Sequence, residues 1–95
     1  MKFVWDEDKN AKNIVKHGVT FEEAKTVFFD EYMIRWDDFN HTNRDGTEER
    51  FYAIGRSSYN HILIVDFCEK IGDTIRIITA WKANKKQREA YNANH

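Results

Sequence analysis

RFYAIGRSSYNHILIVDFCEKIGDTIRIITA, residues 50–80, decides the fold. Arg50, Tyr52 and Ile54 alternate with Phe51 and Ala53, the period of a strand with two unlike faces. HILIVDFC, residues 61–68, is apolar on both parities, which marks a strand covered on both sides and therefore central. Ile71-Gly72-Asp73 turns the chain, and Thr74 through Ala80 reads as a further strand. The polar segment 55–60 is a hairpin loop. Connections this short favour antiparallel neighbours, because a parallel pair needs a crossover of a dozen or more residues. Upstream, Tyr32, Ile34 and Trp36 alternate with Met33, Arg35 and Asp37, another strand, and DFNHTNRDGTE at 38–48 reads as a loop.

The N-terminal part is helical. Phe3-Val4-Trp5 forms a short strand. Asp6 then serves as an N-cap, with Glu7 and Asp8 in a first turn whose dipole favours acids. Ala11, Ile14 and Val15 at i, i+3, i+4 predict the buried stripe of a helix over 7–17, and Gly18 supplies its left-handed end. Thr20-Phe21-Glu22-Glu23 is a capping box opening a second helix over 20–29, with Val19 positioned to pack over Ala24. A last helix spans 83–93. The expected order is β-α-α-β-β-β-β-α: an α+β fold with an antiparallel β-sheet meander, two N-terminal helices and one C-terminal helix, the helices packed on one face. Ninety-five residues without repeat or linker make one domain, 1–95.

Composition narrows the function. No apolar run approaches the length of a membrane span, and the acids after MKFVW exclude a signal peptide. A single cysteine, Cys68, forms no intrachain disulfide, which suits the cytoplasm. The net charge of −1 hides an acidic middle, residues 22–49, and a basic end, residues 74–95. His17, His41, His61 and His95 lack metal-ligand spacing, so no metal site is expected. Ser57 and Ser58 lack a nucleophile elbow, and the four glycines are too scattered for a phosphate loop.

Two constellations remain. The helices 7–17 and 20–29, joined by His17-Gly18-Val19, have the spacing of a helix-turn-helix, but Glu22, Glu23 and Asp30 on the reading helix repel phosphate. The other is basic and aromatic: Arg50, Tyr52, Arg56, His61, Arg76, Trp81, Lys82, Lys85, Lys86, Arg88 and Tyr91. RNA cleavage by transesterification uses such groups. Arginine and lysine neutralise phosphorane charge without a metal, histidine transfers protons, and aromatic rings stack a splayed base.

The order of motifs resembles the BrnT family of toxins from type II toxin–antitoxin systems, over about residues 3 to 91. The resemblance rests on Phe3-Val4-Trp5-Asp6 followed by Lys9 and Asn13, on KHGVTFEEA at 16–24, on Glu48-Glu49-Arg50 with Gly55, and on IRIITAWKANKKQR at 75–88 with Tyr91. It implies a RelE-like fold and a ribonuclease toxin that cleaves RNA without the ribosome; with no metal-ligand spacing in the sequence, the endoribonuclease is expected to be metal-independent and without cofactor. It further implies a BrnA-type ribbon-helix-helix antitoxin as partner, with operator DNA reached only through the complex. By analogy with RelE-like toxins, the catalytic set implied is Arg50, His61, Arg76 and Lys82. Arg56, Trp81, Lys85, Arg88 and Tyr91 are then the RNA-binding residues. His61 and Trp81 stand where the family often has arginine, and Gln87 where glutamate is usual. Either the active set is rebuilt around His61 and Lys82, or activity is weakened and the chain only binds its antitoxin.

Overall fold

The computed structural model describes residues 1–40 and 48–94, so most of the expected loop at 38–48 lies outside the described residues. The elements are β1 (Lys2–Val4), α1 (Glu7–His17), α2 (Phe21–Lys25) continued by a 3-10 turn (Thr26–Phe29), β2 (Ile34–Asp37), β3 (Arg50–Arg56), β4 (Ile62–Lys70), β5 (Thr74–Lys82) and α3 (Lys85–Asn92). The sheet order is β1-β5-β4-β3-β2, with the doubly apolar β4 at its centre.

Strands β2 to β5 form the expected antiparallel meander. The sheet as a whole is mixed, because β1 pairs with β5 in parallel, Phe3 opposite Ile75. This corrects the all-antiparallel expectation. Strand β1 is three residues long and no turn joins it to its partner, so nothing local fixes its direction.

The helices do not share one face either. Val19, Phe21, Ala24 and Val27, from α2 and its flanks, pack on Leu63, Val65, Phe67, Ile75 and Ile77. On the other side Ala83 and Tyr91 bury against Ile54, Ile62 and Ile64. Helix α3 is therefore opposite α2, fastened where Ala83 N–H donates to the Ile62 carbonyl at 2.9 Å.

Helix α1 departs most from expectation. Its caps are as read: Asp6 accepts from the amides of Asp8 and Lys9, and Gly18 is left-handed at φ 69°. Yet Ala11 is exposed, and Ile14 and Val15 are 43% and 89% exposed. The face turned inward carries Asn10 and Asn13 instead. Strand β1 pairs with β5 only at Thr74, Ile75 and Arg76, so the outer edge of β5 beyond them needs other partners. Asn13 supplies them. Its Oδ1 accepts from Ala80 N–H at 3.1 Å, and its Nδ2 donates to the carbonyls of Ala80 (2.8 Å) and Val19 (2.9 Å). The asparagine thus stands in for a strand, which isoleucine cannot do. Asn10 Oδ1 likewise accepts from Phe21 N–H.

Half of the capping box that opens α2 forms. Thr20 Oγ1 accepts from Glu23 N–H at 3.0 Å. The Glu23 carboxylate does not return to Thr20; it turns to Ser57 and His61.

Gly55 lets β3 approach the 3-10 turn. A Cβ there would lie 2.9 Å from Val27 Cγ1, 3.2 Å from Asp30 Oδ2 and 3.3 Å from the Val27 carbonyl. Gly55→Ala is expected to cost about 1–3 kcal/mol of overpacking strain, read as a lowered urea midpoint with unchanged slope.

Candidate nucleic-acid interface

The face of the sheet that carries α3 at one end is polar at the other. Strand registry sets Arg50, Cys68 and Arg76 side by side across β3, β4 and β5. The next row is Tyr52, Asp66 and Thr79. A register shift after Asp66 leaves Ile78 as an extra residue on β5. The far row pairs Arg56 with Ile62. Arg50 and Arg56 lie six residues apart on one strand, about 20 Å at some 3.4 Å per residue.

A groove of about 450 Å³ opens between α1 and this polar end. Lys9, Lys12, Lys16 and His17 line one wall, and Arg50, Ile78 and Thr79 the other. The lysines are exposed and recur at helical spacing, while Asn13 between them fixes the helix to β5. Four permanent cations and a histidine thus converge on one concavity, where a phosphate chain gains charge-assisted contacts.

Aromatic rings continue from the groove across the sheet. His17 and Trp81 have centroids 6.1 Å apart, Trp81 and Tyr52 6.1 Å, and Tyr52 and Trp36 5.5 Å. Trp36 is 43% exposed and Trp81 half-buried, so parts of both remain available to a base.

Beneath Arg50 two carboxyls are buried together. Asp66 is 4% and Asp38 1% exposed. Burial, then the hydrogen bond and charge of Asp38, push Asp66 up to about 8, only partly opposed by Arg50. Tyr52, hydrogen-bonded to Asp38, is raised by its own burial and by both acids. One row away Cys68 donates to Glu48 Oε1 at 3.3 Å. Burial and that bond push the thiol up to about 11, which leaves it a poor nucleophile at neutral pH. The Cys68 bond holds Glu48 below the usual carboxylate range. Arg76 lies 3.9 Å from Glu48.

The four residues expected to act together therefore fall into two groups. Arg50 and Arg76 share a row at the groove end. His61 and Lys82 lie at the opposite end, with Arg56 and Arg88 around one shallow depression. His61 Nδ1 is 2.8 Å from Glu23 Oε2, and Ser57 donates to the same oxygen at 2.7 Å. Arg88 donates to the Ala83 carbonyl, and Lys85 is exposed. Tyr91 is 1% exposed and its hydroxyl donates to Asp30, so it has no ring face to offer a base. The reason is that α3 crosses the sheet and uses Tyr91 as its anchor. Sequence reasoning missed Lys9, Lys12, Lys16 and His17 as a set. Their 3- and 4-residue spacing was the available signal, obscured because the same helix carries an apolar stripe that pointed the other way. Among the described residues no three His, Cys, Asp or Glu side chains gather in a metal-binding cluster. None of the described helices is long and apolar enough to cross a membrane.

A small mixed sheet with a basic and aromatic face beside a lysine-lined groove defines a compact α+β protein. Comparison with family profiles then identifies it: residues 5–87 match the ribonuclease toxin, BrnT, of type II toxin–antitoxin systems, and the chain belongs to that family. Among solved structures it is similar to the Brucella abortus ribonuclease toxin, BrnT. The TM-score is 0.66 at 26% identity, over 90% of this chain and 99% of that one. A comparison with curated proteins found no match. RNA as substrate and an antitoxin as partner follow from the family.

Proposed function

We propose that the chain is a metal-independent endoribonuclease that cleaves single-stranded RNA in the cytoplasm and is neutralised by a BrnA-type antitoxin. The observation that supports this reading is the convergence of Lys9, Lys12, Lys16, His17 and Arg50 on one groove edged by aromatic rings.

In the proposed reaction the 2′-oxygen attacks the adjacent phosphorus and loses its proton to a base. The 5′-oxygen leaves with a proton from an acid. The products are a 2′,3′-cyclic phosphate and a free 5′-hydroxyl. Arg50 neutralises the charge that builds on the equatorial oxygens, Arg76 adds to the local field, and the lysines hold the flanking phosphates. His17 is the group in the groove able both to take and to give a proton. Trp81 and Trp36 stack neighbouring bases, so the attacking oxygen is held in line.

The second basic group takes a different part. His61 is engaged by Glu23 and lies at the end of the sheet away from Arg50, so Lys82, Lys85, Arg56 and Arg88 extend the strand path rather than complete the catalytic set. An acidic antitoxin segment laid over both groups blocks RNA in one step, and its ribbon-helix-helix part carries the complex to operator DNA.

Cleavage of a short single-stranded RNA by the purified chain tests the reading. The expected result is full activity in EDTA, cyclic phosphate ends, and arrest by one equivalent of a BrnA-type partner. Activity that disappears in EDTA and returns with Mg²⁺ overturns metal independence.

A further inference from the structure

We propose that the depression at the end of the sheet away from Arg50, lined by Arg56, His61, Lys82 and Arg88, binds a terminal phosphate monoester: the phosphorylated end of an RNA strand or a free mononucleotide. The inference rests on the strand path proposed above and names the group that this end of it takes.

The depression measures about 380 Å³, within the range of small-ligand pockets, roughly 300–1,000 Å³. Its cations come from separate parts of the chain. Arg56 closes β3, His61 precedes β4, Lys82 closes β5 and Arg88 stands on α3. The rest of the lining is neutral, with no carboxylate among it. Arg56 Nη1 donates to Asn60 Oδ1 at 2.7 Å, and its guanidinium stands 6.0 Å from the centre of the Tyr91 ring. Arg88 Nη1 donates to the Ala83 carbonyl at 2.8 Å. Neutral acceptors thus hold both guanidinium groups. Their direction is fixed and their charge is unspent, unlike that of Arg35, which is paired with Glu69. Lys82 is exposed and forms no ion pair among the described residues.

Two acids stand near without lining the cavity. Glu23 is 7% exposed, and its Oε2 meets both Ser57 Oγ and His61 Nδ1. Ser57 donates to that oxygen, so the carboxylate is the acceptor and Nδ1 carries the hydrogen. Nε2 of His61 has no partner among the described residues, and the ring lines the cavity. An anion bound there favours the imidazolium, which donates from Nε2 while Nδ1 stays on Glu23. Asp30 accepts from the Arg56 amide at 2.7 Å and from the Tyr91 hydroxyl.

The charge count points to the kind of phosphate. The Glu23–His61 pair is neutral once the imidazole is protonated. Arg56, Lys82 and Arg88 set against Asp30 leave two positive charges. An internal phosphate of RNA brings one negative charge and two free oxygens. A terminal monoester brings about −1.5 to −2 at pH 7, with three acceptor oxygens. Donors that converge from three strand ends and a helix match the monoester on both counts.

The test is calorimetric titration of the whole chain with a short 2′-O-methyl oligonucleotide, which has no 2′-hydroxyl and is not cleaved. The forms compared have hydroxyl ends, a 5′-phosphate, a 3′-phosphate, or the methyl ester of either phosphate. One phosphorylated form is expected to bind about 10- to 100-fold tighter than the hydroxyl form, the scale of one or two charge-assisted contacts. Its singly charged methyl ester is expected to fall most of the way back. Lys82→Gln is expected to remove most of the preference, whereas Arg50→Ala weakens every form alike and leaves the preference in place. Competition by AMP names the source. Displacement at concentrations equal to those of the oligonucleotide points to a free nucleotide, and displacement only at far higher ones to an RNA end; both support the site. Equal affinity of hydroxyl and phosphorylated forms overturns the inference and leaves the groove reading intact, since the groove needs only internal phosphates. A preference that survives Lys82→Gln but vanishes in Arg50→Ala puts the monoester in the groove and overturns it as well. If Lys82→Gln does not fold, the Arg50→Ala comparison decides. Failure of every form to bind overturns the strand path itself, and this inference with it.

Discussion

Arg50→Ala is expected to lower the rate of RNA cleavage by about 10²–10³-fold, the usual effect of removing one group that stabilises transition-state charge. Arg50 sits on β3 at the mouth of the groove, in one row with Arg76 and opposite three lysines of α1. In the proposed complex the lysines hold a strand of RNA in its ground state and in its transition state alike, so their loss is expected to raise KM. Arg50 differs because its planar fork can meet two equatorial oxygens of the phosphorane together, where the new charge is concentrated. Its loss therefore appears in kcat. Arg50→Lys retains the charge without the fork and is expected to recover only part of the rate. Single-turnover kinetics on a short single-stranded RNA read both effects. Equal kcat in all three proteins would move the catalytic centre elsewhere, and the His61–Lys82 end would be the next to examine. The substitution also leaves the Asp38–Asp66 pair without its nearest cation, so a modest loss of stability should accompany it.

Asn13→Leu is expected to destabilise the fold by about 2–4 kcal/mol, although leucine has the same branched shape at Cγ and is more apolar. Three hydrogen bonds end on this one buried amide, and their backbone partners at Ala80 and Val19 stay behind without it. A buried backbone group left unsatisfied costs about 1–3 kcal/mol. Asn13→Asp separates the components, since a carboxylate still accepts from Ala80 N–H but repels both carbonyls. It is expected to be worse than leucine. Urea unfolding at neutral pH measures both, and a loss below about 1 kcal/mol for each would mean that α1 is held by something else.

Asn13 also shows where the sequence could be read and where it could not. Strands β2 to β5 were legible because side-chain alternation is local and their turns are short. The caps at Asp6, Gly18 and Thr20 were legible because each depends on neighbours in the chain. The position of β1 beside β5 depends on residues more than seventy apart and leaves no local mark. Helix α1 was legible as a helix but not in its orientation. The apolar stripe Ala11-Ile14-Val15 outweighs two asparagines in any periodicity, yet the exposed edge of β5 needs donors and acceptors rather than methyl groups. Reading the stripe as the buried face hid the lysines that in fact line the groove. The expected catalytic set suffered similarly: Arg50 and His61 both belong to basic, family-like motifs, and only the folded sheet shows them at opposite ends, with His61 turned to Glu23 of α2. Tyr91 was legible as an aromatic on α3, but its burial depended on which side of the sheet that helix takes.

The amide side chain that completes the edge of β5 has a further consequence, for the behaviour of the chain in a crowd. The segment Ile75-Arg76-Ile77-Ile78-Thr79-Ala80-Trp81 is rich in β-branched residues, has no proline and carries one charge. Left open along its outer edge, such a segment is a template on which a second chain can add a strand. Asn13 occupies the backbone groups of Ala80, and α1 stands over the edge that the short β1 does not reach. The helix that brings lysines to the groove thus also covers the edge on which a second chain could pair, and a chain that loses its grip on α1 is expected to become prone to aggregate.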